Sequence, residues 1–208
     1  MSPRRVHIVD DDPAIGRALA LLAKSAGLAA LSHTSAEAFL AAFDPETSGC
    51  VVTDARMPGM GGVELLRLLK RRGVVAPVIV ITGQGAVSMA VEALKAGAAD
   101  FIEKPFDDQI FLAAVRAALA HAELSAQRQE ANAALGRLAA QLSSREREVM
   151  DLVVDGSSSP EAARLLGISV RTVETHRARV MEKMGARGLA DLVRMAIQLR
   201  AAETASDT

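Results

Sequence analysis

Three consecutive aspartates, Asp10, Asp11 and Asp12, close the short apolar run "VHIV" at residues 6–9. A further aspartate, Asp54, closes a second such run, "CVVT" at 50–53. Thr82 ends a third, "VIVIT" at 78–82, and Lys104 follows a fourth, "DFIE" at 100–103. Carboxylates brought together repel one another unless a counter-charge joins them. A hard divalent cation answers that need, and Mg2+ favours one or two carboxylates with waters and a phosphate oxygen. A lysine and a hydroxyl beside such a cluster complete a set suited to phosphoryl groups, whose transfer depends mainly on positioning and charge neutralisation. Singly, each residue has a plainer explanation. Asp12, with Pro13 behind it, reads as the cap of a helix. Thr82 reads as a strand end, Phe101 as core and Lys104 as a solvated charge. Their joint occurrence at strand ends is what points to chemistry.

The elements that must position these residues follow from periodicity. The four runs are β-branched and apolar on both faces, as buried parallel strands are. A weaker strand, "LAALSH", lies at 28–33. Amphipathic helical stretches separate them at 14–27, 35–43, 61–73, 86–98 and 108–122. Five alternations of strand and helix predict an α/β domain over 1–122, with a five-stranded parallel, doubly wound, flavodoxin-like sheet. Ligands of such sheets sit outside the carboxyl ends of the strands, where Asp10, Asp54, Thr82 and Lys104 converge. Residues 123–141 are rich in Ala and Gln and read as a helical linker. Residues 142–200 have only helical patterns and predict an all-α domain of four helices. The polar stretch 201–208 reads as a disordered tail.

Bulk composition narrows the function. The 208 residues are half hydrophobic, enough for two small folded domains, and the net charge of −1 names no partner class. Any nucleic-acid surface must therefore be local. The single cysteine, Cys50, sits in an apolar run and reads as core, which fits a reducing cytoplasm. The basic start "MSPRR" meets aspartates too soon for a signal peptide. No apolar run approaches the roughly 20 residues of a membrane span. Met57, Met60 and Met89 read as packing.

The second half carries its own pattern. "SSSPEAARLLG" offers Ser158 or Ser159 as a helix cap before Pro160 and Glu161. After the tight turn "LLGIS", the segment "SVRTVETHRARVMEKMG" begins at the Ser169 cap and runs to Gly185. Two helices joined this way form a helix-turn-helix, with the later one as recognition helix. At helical spacing Val173, Val180 and Met184 share a core face. Arg171, Glu174, Thr175, Ala178 and Arg179 lie opposite, bordered by Thr172 and Lys183. Glu174 suits a cytosine amine, and Thr175 a thymine methyl or a base edge. Arg171, Arg177, Arg179 and Lys183 suit phosphates. Charge alone is weak support, because residues 142–200 hold ten Lys and Arg against eight Asp and Glu. His176 has no His or Cys partner nearby and reads as a packing or phosphate-contact residue.

The acidic pair, the Asp before "MPGMGG", the Thr and the "KP" of "DFIEKPF", in that order, resemble the receiver domains of two-component response regulators over about residues 4–121. The stretches "LSSREREVMDLV" and "ISVRTVETHRARVMEKMGA" resemble the LuxR-type helix-turn-helix. The whole chain resembles a response regulator of the FixJ/NarL type. That resemblance implies a transcriptional regulator rather than a metabolic enzyme. A sensor histidine kinase would phosphorylate Asp54, with Mg2+ held by Asp10, Asp11, Asp54 and the Arg56 carbonyl. Thr82 and Lys104 would steady the phosphoryl group, Phe101 would act as an aromatic switch, and Lys104–Pro105 would be a cis bond. A homodimer would form on phosphorylation through a face including Val91, Lys95 and Arg116. The recognition helix would then bind double-stranded promoter DNA, with RNA polymerase as the downstream partner and no membrane involved. One departure is Ser159–Pro160, where the family has an Asn-Lys pair; a second is Ala162, where it has Ile. The first removes a lysine that could meet a phosphate.

Overall fold

The computed structural model describes residues 5–44, 48–83 and 87–206. The chain divides into two compact units, Met1–Ser125 and Ala126–Thr208. The first unit begins with β1 (Arg5–Val9), α1 (Pro13–Ser25), β2 (Ala29–His33), α2 (Ala36–Ala42) and β3 (Ser48–Asp54). It continues with α3 (Gly62–Arg71), β4 (Val78–Thr82), α4 (Val87–Lys95), β5 (Asp100–Glu103) and the start of α5 (Asp108–Ala139). The strands are all parallel in the order β2-β1-β3-β4-β5. This is the expected doubly wound sheet. Because β1 lies beside β3, the ends carrying Asp10 and Asp54 are neighbours.

Strand side chains alternate between two packed layers. Val6, Ile8, Cys50, Val52, Ile79 and Ile81 pack toward one cluster, where Ala23, Phe111 and Val115 meet them. Val9, Val51, Val78 and Val80 pack toward the other, with Phe39, Leu65, Leu66 and Leu69. Cys50 is fully buried, and burial pushes its thiol up to about 12, so it is an inert core residue. Met57 is buried and Met60 and Met89 partly so in the second cluster, which matches their expected packing role.

Local chemistry sets the element ends. Asp12 caps α1 through Ala14 N–H at 2.7 Å, with Pro13 in the first turn. Ser35 caps α2. Lys104–Pro105 is cis, as the resemblance implied. The helix expected over 108–122 does not stop there: α5 continues unbroken through most of the 123–141 linker stretch to Ala139.

The second unit holds the end of α5, then α6 (Ser144–Val154), α7 (Ser159–Leu166), α8 (Val170–Met184) and α9 (Leu189–Ser206). Val149, Val153, Ala162, Val173, Val180, Met184 and Leu192 form its core. Ser143 with Glu146 and Ser158 with Glu161 form reciprocal capping boxes at the starts of α6 and α7, so Ser158, not Ser159, is the α7 cap. Gly167 and Gly185 take left-handed conformations that end α7 and α8. α9 extends to Ser206, into the stretch expected to be a disordered tail. Its Ala-rich sequence there contains no Gly or Pro to stop a helix. Ala86, the expected start of the fourth helix, and residues 207–208 lie outside the described residues. No helix among the described residues is long and apolar enough to cross a membrane.

Candidate functional site

The carboxyl end of the sheet gathers the charged residues. Asp10 is nearly fully buried just past β1, where its backbone N–H donates to the His33 carbonyl at 3.1 Å. Its Oδ1 accepts from Asp12 N–H at 2.9 Å. Asp54 ends β3, and its Oδ1 accepts from Arg56 N–H at 3.0 Å. Lys104, past β5, places its Nζ 2.6 Å from Asp54 Oδ2 and 3.2 Å from Asp10 Oδ2. One ammonium thus bridges two carboxylates from strands that flank each other.

The electrostatics follow from burial and pairing. Burial raises Asp10 above the usual carboxylate range, against the pull of the Asp12 N–H and Lys104. Burial alone would lower Lys104, but its hydrogen bonds and charge contacts with Asp54 and Asp10 outweigh this and raise it. The ammonium therefore stays charged where it sits. Asp11 is exposed beside the pair, and Asp10, Asp11 and Asp54 each offer an oxygen within 4.8 Å of the others. Three hard oxygen donors around one point, one of them a buried acid, suit a small hard divalent cation.

Thr82 is buried at the end of β4. Its hydroxyl donates to the Gly83 carbonyl at 3.4 Å and contacts Met89 Sδ of α4 at 4.0 Å. Phe101 is 37% exposed, so the core reading of that residue fails. The cause is its place on β5, an edge strand on which only Ile102 is buried. Val91, Lys95 and Arg116 are all exposed. Leu94 and Ile110 are exposed too, at 48% and 50%, and sequence reasoning missed both. Their apolar character at helix positions reads equally as core.

In the second unit the expected core face of α8 is found: Val173, Val180 and Met184 are buried. The polar side chains divide. Arg171, Glu174, Ala178 and Arg179 are exposed. Thr172 Oγ1 lies 2.8 Å from Ser169 Oγ at the cap, and Thr175 donates back to the Arg171 carbonyl at 2.9 Å. Arg177 donates to Ser159 Oγ at 3.0 Å. That contact ties the start of α7 to α8. Ala162 is fully buried, so the smaller residue sits within the core.

Lys183, expected to meet a phosphate, is engaged within the domain. Its Nζ lies 2.6 Å from Glu146 Oε2 and donates to the Gln141 carbonyl at 3.1 Å. Glu146 is only 3% exposed, so it needs that counter-charge. Bonds from Lys183, then from the Ser143 backbone, hold its carboxyl down at about 2. The S-x-x-E spacing at 143–146 is the signal that could have found this residue. His176 sits partly buried on the packed side, and its Nδ1 has no hydrogen-bond partner among the described residues.

Comparison with known proteins agrees with both halves. Residues 6–116 match the response regulator receiver domain, and residues 140–196 match the bacterial regulatory proteins of the luxR family. The chain is 52% identical over 192 residues to the transcriptional regulatory protein FixJ of Azorhizobium caulinodans, covering 92% of this chain and 91% of that one. Among solved structures it resembles the response regulator StyR, with a TM-score of 0.83 and 36% identity over 95% of this chain and all of that one. It also resembles full-length FixJ from B. japonicum, with a TM-score of 0.60 and 41% identity, over 97% of this chain and 99% of that one.

Proposed function

Since this chain belongs to the response regulators that join a receiver domain to a luxR-type DNA-binding domain, phosphorylation-dependent transcriptional regulators, we propose that Asp54 is its phosphoacceptor. The observation that carries this reading is the Lys104 ammonium bridging Asp54 and Asp10, with Asp11 alongside. A carboxylate oxygen of Asp54 attacks the phosphorus of a phosphohistidine on the kinase. The P–N bond breaks, the imidazole leaves with the electron pair, and an acyl phosphate forms on Asp54. Asp10, Asp11 and Asp54, with the Arg56 carbonyl, are the groups that would hold Mg2+. Bound there, the ion would neutralise phosphoryl oxygens.

The chain's own residues supply the rest. Lys104 already contacts the Asp54 oxygen and follows the new negative charge onto the phosphoryl group. The Thr82 hydroxyl turns from the Gly83 carbonyl to a phosphoryl oxygen. Phe101 then turns inward from its exposed position. This reshapes the surface of α4, β5 and α5, where Val91, Lys95 and Arg116 form a homodimer face. A dimer offers two α8 helices to a two-fold promoter site, from which RNA polymerase is engaged. The phosphate-facing side chains are Arg171 and Arg179.

The test is direct phosphoryl incorporation from a phosphodonor with Mg2+. Wild type should gain one hydroxylamine-labile phosphoryl group, and Asp54→Asn none. Equal incorporation in both would reject Asp54.

A further inference from the structure

The polar side chains of α8 fall into two groups that the sequence does not separate. Thr172, Thr175, Arg177 and Lys183 are each engaged within the domain. The side chains of Arg171, Glu174 and Arg179 are exposed and, among the described residues, make no hydrogen bond or ion pair. Glu174 is the informative member. Arg171 stands three residues before it and Arg177 three after, both at pairing distance along a helix. Neither pairs with it, and Arg177 is turned to Ser159 instead.

An unpaired carboxylate on a DNA-facing stripe is repelled by every phosphate it approaches. Only a donor on a base edge reverses that. In the major groove those donors are the cytosine N4 and adenine N6 amines. The adenine amine lies between two acceptors, its own N7 and thymine O4. The cytosine amine has an acceptor on one side and a C–H edge on the other, so a carboxylate can approach without facing an acceptor. Glu174 also lies in the second turn after the Ser169 cap, within the N-terminal part of a recognition helix that meets base edges. Thr175, its hydroxyl proton committed to the Arg171 carbonyl, offers mainly its methyl group.

We infer that Glu174 fixes the DNA sequence this chain prefers by accepting a hydrogen bond from a cytosine amine in each half-site. The inference rests on the DNA-binding reading above and deepens it to one base. It is tested with the full chain, phosphorylated with acetyl phosphate and Mg2+, selecting from a random double-stranded DNA library. Wild type should enrich cytosine at one position of each half-site by roughly 5- to 150-fold over other bases. Glu174→Gln should move that one position to adenine, which glutamine reads through N6 and N7, and leave the rest of the site unchanged. Glu174→Ala should relax it to all four bases. Identical selected sites for wild type and both variants would overturn the inference while leaving DNA binding intact. Failure of wild type to enrich any sequence would overturn sequence-specific DNA binding itself, and the inference with it.

Discussion

The acidic pocket and the exposed stripe of α8 put charge to use in opposite ways. In the pocket, the functional groups hold one another. Lys104 ties Asp54 to Asp10, the Asp12 N–H ties Asp10, and the Arg56 N–H ties Asp54. On α8, the engaged groups serve the domain, and the unengaged ones are exposed. Lys183 and Arg177 brace the fold, whereas Arg171, Glu174 and Arg179 face solvent. A pocket that handles one small group gains from preorganisation. A surface that meets a long polyanion gains from donors it has not already spent.

The units themselves offer the strongest way to break this comparison. Phe111→Ala empties a fully buried site in the receiver core and should cost that unit about 3–5 kcal/mol. In calorimetry, a separate receiver transition should fall while that of residues 142–200 holds. A single transition falling as a whole would show that the units do not unfold independently.

Acidification probes the bracing contact. Glu146 is held at about 2, below the ordinary carboxylate range, so its stabilising pair is intact above about pH 4.5 and lost as the pH falls toward 2. The melting temperature of the DNA-binding unit should drop across that window, and Glu146→Gln should flatten the drop. Asp10 is raised instead, so its ionisation weighs against the receiver and protonation relieves it.

Lys104→Met removes the pocket's internal cation. Calorimetric titration should then show Mg2+ binding tighter, on the order of tenfold, because the carboxylates lose their resident counter-charge. An unchanged affinity would separate Lys104 from the carboxylates proposed to hold Mg2+. On the other side of the comparison, Arg171→Ala or Arg179→Ala should lower the salt slope of promoter affinity by about 1 each. Lys183→Ala should leave the slope unchanged, since its charge is already spent on Glu146. The smallest effect is expected of Thr82→Ala. It removes the hydroxyl hydrogen bond to a phosphoryl oxygen, worth roughly 0.5–1.5 kcal/mol, and with it only a long bond to the Gly83 carbonyl in the unphosphorylated state. Dimerisation should weaken severalfold with phosphoryl incorporation unchanged.

The two sites were not equally legible in the sequence. The pocket was, because the fold forces strand ends together: once the alternation of strands and helices is read, Asp10, Asp54, Thr82 and Lys104 have one place to meet. The core face of α8 was legible for the same reason, since Val173, Val180 and Met184 repeat at helical spacing. What the sequence concealed is how polar groups are spent. Lys183 and Arg179 look alike on a helical projection, yet one meets a buried carboxylate 37 residues away in the chain. The direction of the Thr82 hydroxyl and the exposure of Phe101 were hidden likewise, because both depend on neighbours in other elements. The reach of α5 to Ala139 was only partly visible, since an Ala-rich linker carries a helical propensity but no stop signal.

The most direct test of the central claim is the mass of the chain in solution, by light scattering, with acetyl phosphate and Mg2+, for wild type beside Asp54→Asn. The account predicts that wild type shifts from monomer to dimer and the variant stays a monomer. A wild type that incorporates phosphate on Asp54 yet does not change mass would contradict it.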